Sequence, residues 1–242
     1  MKTVGNSDIG KVRKNNEDAF RFGRIDDDVT WAVVCDGMGG ASGGQIASTM
    51  AADMVGKKIE KCYNKSMSES SIENMMLSAI TTANVTVYDR AIADDFLNGM
   101  GTTIVCTVVK NGVACIAHVG DSRAYLIHNK EISLLTKDHS LVQEMLDRGQ
   151  ITKEEFDSHP IRNIITRALG VAEKVEIDFN SVEFEKNDVL LLCSDGLSGY
   201  VDPEQILNIF TSCEFDRFPS KLIEAANKAG GKDNITAVAM MG

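Results

Sequence analysis

Four aspartates lie at one end of an apolar, strand-like run, and each has a glycine within two residues. They are Asp36 after WAVVC, Asp121 after CIAHVG, Asp195 after VLLLCS and Asp233 after GGK. Turn chemistry explains each one taken alone, because Asp and Gly are common turn residues. Taken together, the ends of several strands of one sheet system can meet at a common rim. Oxygen ligands without paired His or Cys would favour Mg²⁺ or Mn²⁺ over zinc.

Two further features fit such a rim. Glycines follow Asp36 in the run GMGG, and without a Cβ the backbone of Gly37 can approach an ion and offer its carbonyl. The stretch GKVRKNNED places Arg13 before Glu17 and Asp18, so that a guanidinium could hold a phosphate whose other oxygens face a metal. For this stretch alone, surface ion pairing is the simpler interpretation.

Composition limits the possible classes of protein. The chain has 242 residues, 43% of them apolar, and a net charge of -10. This acidity argues against a sequence-independent nucleic-acid binder, which needs a clustered basic face. No apolar run approaches the ~18 residues of a membrane span, and residues 1–20 contain no signal-peptide core. The six cysteines form no C-x-x-C pair. We therefore expect a cytoplasmic protein with buried free thiols and no membrane insertion.

The apolar pattern predicts the elements that position these residues. Helical spacing indicates one helix from about residue 44 to 55 and a second from about 72 to 87. Residues 101–134 contain β-branched runs separated by Asn-Gly and Asn-Lys turns, which is typical of an antiparallel meander. Two strands and two helices follow, and NITAVAMM is the last strand. This order predicts one α+β domain over residues 1–242, with helices covering antiparallel sheets.

An ordered set of motifs resembles a known family. SDIGKVRKNNEDAF, VVCDGMGG, GTTIV, AHVGDSRAYL, LTKDHS, ITRALG, LLLCSDGLS and GGKDNIT occur in the order found in metal-dependent protein serine/threonine phosphatases of the protein phosphatase 2C family. The chain is most similar to the compact bacterial members, over residues 3–240. The resemblance implies a four-layer α-β-β-α sandwich, in which helices flank two stacked antiparallel sheets and a two-metal site lies at one end.

The resemblance also implies a ligand set. Asp36 would bridge two Mn²⁺ or Mg²⁺ ions, and the carbonyl of Gly37 would bind one of them. Asp195 and Asp233 would bind the same ion of the pair.

Asp18 would hold the other ion of the pair partly through water, with Glu17 beside it. A third ion, which bacterial members often bind, would use Asp121 together with Asp195.

The implied reaction is hydrolysis of phosphoserine and phosphothreonine. A water bridging two close divalent ions becomes a hydroxide near neutral pH, and it would attack phosphorus directly and in line. Arg13 would bind and orient the phosphoryl group, which makes Arg13, Asp36 and Asp195 the expected catalytic residues. Residues 140–165 match a mobile flap that tunes substrate access. The resemblance further implies a monomer that acts on phosphoproteins, among them a cognate serine/threonine kinase and its targets.

The chain departs from the family at two usual imidazole positions. Met38 stands where eukaryotic members have a histidine, and Ala41 where many bacterial members have one. The leaving-group acid is therefore open. His139 and His159 lie in or beside the flap, where a surface or structural role is the simpler interpretation. A metal-bound water is an equally good proton source.

Three other interpretations fit the sequence less well. A thiol phosphatase needs Arg six residues after its cysteine, and none of the six cysteines has it. GNSDIGK satisfies G-x-x-x-x-G-K, but Val12 follows in place of Ser or Thr and only four residues precede it. A catalytically silent phosphoprotein-binding module of the same fold would be expected to lose metal carboxylates or the phosphate-binding arginine, and all are present.

Overall fold

A computed structural model of the chain describes residues 1–26, 29–39 and 43–242. Two short 3₁₀ turns, Asp95–Leu97 and Phe215–Arg217, accompany the helices. The strands are β1 (Lys2–Asp8), β2 (Asp18–Asp26), β3 (Val29–Met38), β4 (Gly101–Thr102), β5 (Ile104–Lys110), β6 (Val113–Val119), β7 (Arg123–His128), β8 (Glu131–Leu134), β9 (Asp178–Glu183), β10 (Val189–Cys193) and β11 (Ile235–Met241). The helices are α1 (Gly43–Cys62), α2 (Glu69–Ala93), α3 (Leu141–Asp147), α4 (Lys153–Ser158), α5 (Asp195–Ser198), α6 (Pro203–Ser212) and α7 (Phe218–Lys228).

The strands form two antiparallel sheets. The first sheet has the order β1-β11-β10-β7-β8, and the second has the order β2-β3-β5-β6-β9, with β4 paired to β3. Buried aliphatic side chains from both sheets, such as Val34, Ile116, Leu192 and Val238, pack against each other between them. The two sheets are therefore stacked face to face, as the α+β sandwich prediction requires.

Helices cover the outer face of each sheet. On the second sheet, α1 buries Ala47, Ala51 and Val55, which recur every four residues along one side, and α2 packs beside it. On the first sheet, α7 buries Phe218 and Leu222 together with residues of α5 and α6. The layer order α-β-β-α confirms the predicted fold class. None of the described helices is both long enough and apolar enough to span a membrane.

The predicted meander over residues 101–134 is wrong in one respect. β5 and β6 form a hairpin in the second sheet, whereas β7 and β8 form a hairpin in the first sheet. The chain changes sheets at Gly120, whose φ of +105° is a conformation that side chains other than glycine rarely adopt. Asp121 lies at this crossing. The irregular turn thus takes the chain from one layer to the other instead of along one sheet.

The first two strands carry polar segments whose strand character the sequence pattern did not predict. β1 is an edge strand that pairs only with β11 among the described strands, and β2 is an edge strand beside β3. Residues 5–8 of GNSDIGK lie within β1. Because a phosphate-binding loop of this type must follow a strand, this placement agrees with the rejection of a nucleotide-binding motif.

Candidate metal and phosphate site

The second sheet supplies two aspartates from neighbouring strands. Asp18 of β2 and Asp36 of β3 are direct partners across the antiparallel pair. The backbone of Asp36 is held on both sides, since its N–H donates to Thr103 Oγ1 at 3.0 Å and its carbonyl accepts the Thr103 N–H at 2.9 Å. The carbonyl also accepts the Thr102 hydroxyl at 2.9 Å. These bonds fix the position from which the Asp36 side chain projects.

The first sheet supplies two further aspartates. Asp195 begins α5 immediately after β10, and Asp233 lies in the turn before β11, the neighbour of β10. Arg13 Nη2 donates to Asp233 Oδ2 at 2.7 Å, and this ion pair is partly exposed. The side chain of Asn234 accepts the Glu17 N–H at 2.8 Å and donates to the backbone of the 9–15 loop, which carries Arg13.

The four segments that carry Asp18, Asp36, Asp195 and Asp233 meet around one cleft at the end of the sandwich. The cleft has a volume of about 250 Å³ and lies where the two sheets abut. A second cavity of about 470 Å³ adjoins it, between the α3–α4 segment and the start of α6, and shares Asp121, Asp195 and Asp233 with it. The sequence-predicted residues that line the cleft are Arg13, Glu17, Asp36, Gly37, Asp121, Asp195 and Asp233.

Asp18 lies behind the cleft with one half of its carboxylate anchored. Ser194 Oγ and Thr236 Oγ1 donate to its Oδ2 at 2.7 and 2.6 Å. Its other oxygen, Oδ1, is buried and has no partner among the described residues, and the same holds for Asp195 Oδ1. Buried oxygens without donors are unfavourable unless water or a cation meets them. The two orphaned atoms therefore fit a cation or its bound water.

Burial and mutual repulsion raise the pKa of these carboxyl groups. Burial raises the pKa of Asp18 to about 7 and that of Asp195 to about 6, and the neighbouring carboxylates add to both shifts. The pKa values of Asp36 and Asp121 are raised well above the usual range for the same reasons. Closely spaced buried carboxylates are unfavourable in the ionised state, and a bound cation reverses this balance.

Gly37 occupies a place that no side chain can enter. A Cβ there would lie 2.1 Å from the Gly44 carbonyl oxygen and 2.5 Å from that of Glu17. The Gly37 N–H donates to this Glu17 carbonyl at 3.1 Å, which joins the end of β3 to the segment before β2. The first turn of α1 therefore packs directly on the Asp36-Gly37 backbone, and glycine is required for this contact.

Asp121 reaches the cleft from the crossing between the sheets. His139 bonds to the backbone of Gly120 twice. Its ring Nδ1 accepts the Gly120 N–H at 3.1 Å, and its backbone N–H donates to the Gly120 carbonyl at 2.9 Å. The His139 carbonyl accepts the Thr166 N–H at 2.8 Å. His139 thus connects the Asp121 turn to Thr166, the residue that directly follows the segment predicted as a flap.

A second cluster of metal-ligand types lies near this turn. His118, His139 and Asp178 place three ligand atoms within 4.8 Å of one another. Arg167 Nη1 lies among them, 2.9 Å from Asp178 Oδ1 and 3.2 Å from His139 Nε2. The bond from Gly120 to Nδ1 leaves the proton of a neutral His139 on Nε2, where it blocks metal coordination. We interpret this cluster as a hydrogen-bonded brace in which the guanidinium supplies the positive charge.

The described residues that line the two cavities include no histidine. Met38 lies in the cleft at the position of one usual imidazole, and Ala41 lies outside the described residues. His139 is buried in the brace, and His159 ends α4, where its Nδ1 faces the Ile161 N–H at 3.4 Å. Both histidines have structural contacts, as their simpler interpretation predicted.

Several residues of the site were not singled out from the sequence. Thr103 contacts the backbone of Asp36, Asn234 organises the Arg13 loop, and Ser194 and Thr236 anchor Asp18. All four lie inside or beside the quoted motifs GTTIV, LLLCSDGLS and GGKDNIT. The signal was a polar residue inside an otherwise apolar run, which indicates a buried hydrogen-bonding role.

Known proteins similar to this chain are phosphatases of one family. The model of the protein phosphatase 2C family matches residues 5–238. The serine/threonine phosphatase stp of Listeria monocytogenes is 39% identical over 233 residues, which cover 96% of this chain and 92% of that protein. The solved structure of the Streptococcus agalactiae serine/threonine phosphatase is 37% identical, with a TM-score of 0.92 over 100% of this chain and 99% of that one. The catalytic domain of the phosphatase PstP, solved with two manganese ions, is 32% identical with a TM-score of 0.85 over 98% and 96% of the two chains.

Proposed function

The chain belongs to the protein phosphatase 2C family and is a protein serine/threonine phosphatase, and we propose that its carboxylate cleft holds the divalent metal ions on which hydrolysis depends. The observation that carries this proposal is the pair of buried, partnerless oxygens, Asp18 Oδ1 and Asp195 Oδ1, beside a set of mutually repelling carboxylates. The donor set consists of oxygen atoms, which suits Mn²⁺ or Mg²⁺.

We assign the ligands by their place in the cleft. Asp36 projects from the centre, within hydrogen-bonding reach of Asp195, and would be shared by two ions. Asp195 and Asp233 would bind the ion on the side of the first sheet. The Gly37 carbonyl, and Asp18 through water, would bind the ion on the side of the second sheet. Among the charged neighbours of Asp121, Asp195 raises its pKa most, and these two residues would form a third site.

Arg13 is the residue that we expect to bind the phosphoryl group of the substrate. Two divalent ions, when bound, lower the pKa of water and neutralise the phosphoryl oxygens. Arg13 is half exposed at the mouth of the cleft, and Asp233 orients its guanidinium. An incoming phosphate dianion would take one side of this planar fork and leave the other on Asp233. Arg13 would thereby align the phosphoryl group for in-line attack and stabilise the charge that develops on it.

The difference between the net charge of the protein and the local charge in the cleft explains how an acidic protein can accept a phosphorylated substrate. The net charge of -10 repels phosphate at long range, whereas bound divalent ions are the largest local charges in the cleft. Association should therefore depend on short-range capture by the ions and Arg13. Because solvent-exposed repulsion is screened, added salt should not weaken the capture of phosphopeptide strongly.

We also propose the substrates, the partner and the cellular location of the enzyme. Similarity to serine/threonine phosphatases supports phosphoprotein substrates, and a serine/threonine kinase with its targets is the partner we propose. We further propose that residues 1–242 form one catalytic domain that acts as a monomer in the cytoplasm. The α3–α4 segment borders the cavity next to the cleft and is suited to contact residues that flank the phosphorylated side chain.

Phosphate release from a phosphothreonine peptide tests this proposal. Turnover should require Mn²⁺ or Mg²⁺, stop in excess EDTA, and be lost in Asp36→Asn. Asp188→Asn is the matched control, because Asp188 is a buried carboxylate at the opposite end of β10, where it accepts the Glu185 N–H at 2.8 Å. This control should lose stability and keep metal-dependent turnover.

The alternative of a catalytically silent binding module is not favoured. Such a module would be expected to lose metal carboxylates or the phosphate-binding arginine, and Arg13, Asp36, Asp195 and Asp233 all line one cleft. A folded protein that binds Mn²⁺ and releases no phosphate from any phosphopeptide would reverse this conclusion. Equal loss of turnover in Asp36→Asn and Asp188→Asn would remove the support for the assigned site.

A further inference from the structure

Thr103 contacts two separate parts of the proposed metal site with one side chain. It follows β4 in the second sheet and is 3% exposed. Its Oγ1 accepts the Asp36 N–H at 3.0 Å and shares a second hydrogen bond of 2.7 Å with Ser122 Oγ. Ser122 directly follows Asp121 and is also buried. A single hydroxyl therefore lies between the backbone of one proposed ligand and the neighbour of another.

The methyl group of Thr103 reinforces the same junction. A Cβ on Gly120 would lie 2.6 Å from Thr103 Cγ2 and 2.7 Å from its Cβ, so the Gly120 backbone packs directly on this side chain. The residues on both sides of Asp121 thus touch Thr103, one through the methyl group and one through the hydroxyl. The opposite side of Gly120 is bonded to His139.

The position of Asp121 relative to Asp36 depends on these contacts. Asp36 belongs to the second sheet, and Asp121 lies in the turn that leads from the second sheet to the first. Among the described hydrogen bonds, those of Thr103 Oγ1 make the direct side-chain link between the two segments. Rigid support of this kind sets the spacing of metal ligands, and its loss lowers metal affinity without removing a ligand.

We propose that Thr103 is a positioning residue that holds Asp36 and Asp121 at the spacing required to bind divalent ions together. This inference rests on the proposed function of the carboxylate cleft and assigns a role to a residue of the cleft wall whose hydroxyl is engaged by the Asp36 N–H and by Ser122. The hydroxyl joins the two ligand segments, and the methyl group keeps the Gly120 turn in contact with β4 and β5.

Paired substitutions separate the hydroxyl from the methyl group. Thr103→Val keeps the volume and the methyl contact with Gly120 and deletes the hydroxyl. Thr103→Ser keeps the hydroxyl and deletes the methyl group. Thr107→Val is the matched control, because Thr107 is a fully buried threonine of β5, the strand that begins directly after Thr103, and its hydroxyl donates to the Cys115 carbonyl at 2.9 Å, away from the cleft.

The measurement is Mn²⁺ binding to each purified full-length protein by calorimetry, together with thermal unfolding in EDTA. Thr103→Val should bind Mn²⁺ about 10- to 100-fold more weakly, in the range found for the loss of residues that support metal ligands. Thr103→Ser keeps both hydrogen bonds and loses only the methyl contact with Gly120, so its loss of Mn²⁺ affinity should be much smaller than that of Thr103→Val. Thr107→Val should lose a similar amount of thermal stability and keep wild-type Mn²⁺ affinity.

A second variant approaches the same junction from its other side. Ser122→Ala removes the bond to Thr103 and leaves the bond between Thr103 and Asp36 in place. It should lower the affinity for the ion that Asp121 would bind and leave the affinity of the tightest Mn²⁺ site unchanged. This variant also decides the matter if Thr103→Val does not fold.

Three results would overturn the inference. They are wild-type Mn²⁺ affinity in Thr103→Val, an equal loss of affinity in Thr107→Val, and wild-type binding of every ion in Ser122→Ala. Failure of the proposed function looks different, because the wild-type protein itself would then bind no Mn²⁺.

Discussion

Replacement of Asp195 by Asn should stabilise the metal-free protein near neutral pH while it abolishes turnover. Asp195 lies among Asp36, Asp18 and Asp233, and burial together with the Asp233 charge raises its pKa from 3.8 to about 6. A carboxyl group with a raised pKa contributes stability that is fully present below its unfolded value and is lost as the pH rises through the folded value. The wild-type protein in EDTA should therefore lose stability between about pH 4 and pH 7.

The size of this effect follows from the shift. A rise from 3.8 to about 6 corresponds to about 3 kcal/mol of destabilisation once both states are ionised. For a chain of 150–250 residues, 1 kcal/mol changes Tm by about 2–4 °C, so the variant should melt about 6–12 °C higher at pH 8. The neutral amide also relieves the neighbouring carboxylates, whose charges act in the same direction.

The assay is thermal unfolding followed by circular dichroism in EDTA at pH 4.5 and pH 8. The difference between Asp195→Asn and the wild type should be large at pH 8 and small at pH 4.5, and Mn²⁺ should raise the Tm of the wild type more than that of the variant. Asp188→Asn should be less stable than the wild type at both pH values, because it loses buried hydrogen bonds. A metal-free Asp195→Asn protein that melts at or below the wild type at pH 8 would refute the reasoning.

Three other variants test separate parts of the site. Arg13→Ala should lower kcat/KM for a phosphopeptide by about 100-fold with unchanged Mn²⁺ binding, whereas Arg21→Ala, which breaks a surface pair with Asp53, should have no effect; equal kinetics in both would contradict the role of Arg13. Gly37→Ala should lower both Tm and Mn²⁺ affinity, since its Cβ would lie 2.1 Å from a carbonyl oxygen, and wild-type calorimetry would disprove this. His139→Asn should keep kcat within about tenfold and keep both limbs of the pH profile, whereas loss of a general acid costs about 10²–10⁴-fold.

The sequence predicted the parts of the site that depend on local pattern. An apolar run that begins or ends at an aspartate near glycine is recognisable within a few residues, and Asp36, Asp121, Asp195 and Asp233 all reach the same cleft. The apolar spacing of α1 likewise identified its buried face before any tertiary contact was known. These features depend on the period of the backbone and on the cost of burying polar groups.

The features that sequence did not predict depend on pairing between distant segments. β1 and β2 form edge strands with many polar residues, so their strand character comes from their partners β11 and β3. The hairpins β5–β6 and β7–β8 resemble one meander, and no residue in the connecting turn reveals that Gly120 directs the chain into the other sheet. The contact between Thr103 and Ser122 is likewise a product of that crossing.

The cleft is built from both halves of the sandwich, and this has a consequence beyond catalysis. Asp18 and Asp36 belong to strands of one sheet, whereas Asp195 and Asp233 lie beside the ends of β10 and β11 in the other, so ions bound as proposed would connect the two halves. Without these ions, the ionised carboxylates would repel one another across the two halves. Starvation for manganese should then speed amide hydrogen exchange along β3 and β10 and shorten the lifetime of the folded protein. The supply of metal would thereby set how much of this phosphatase a cell contains, in addition to how fast each molecule works.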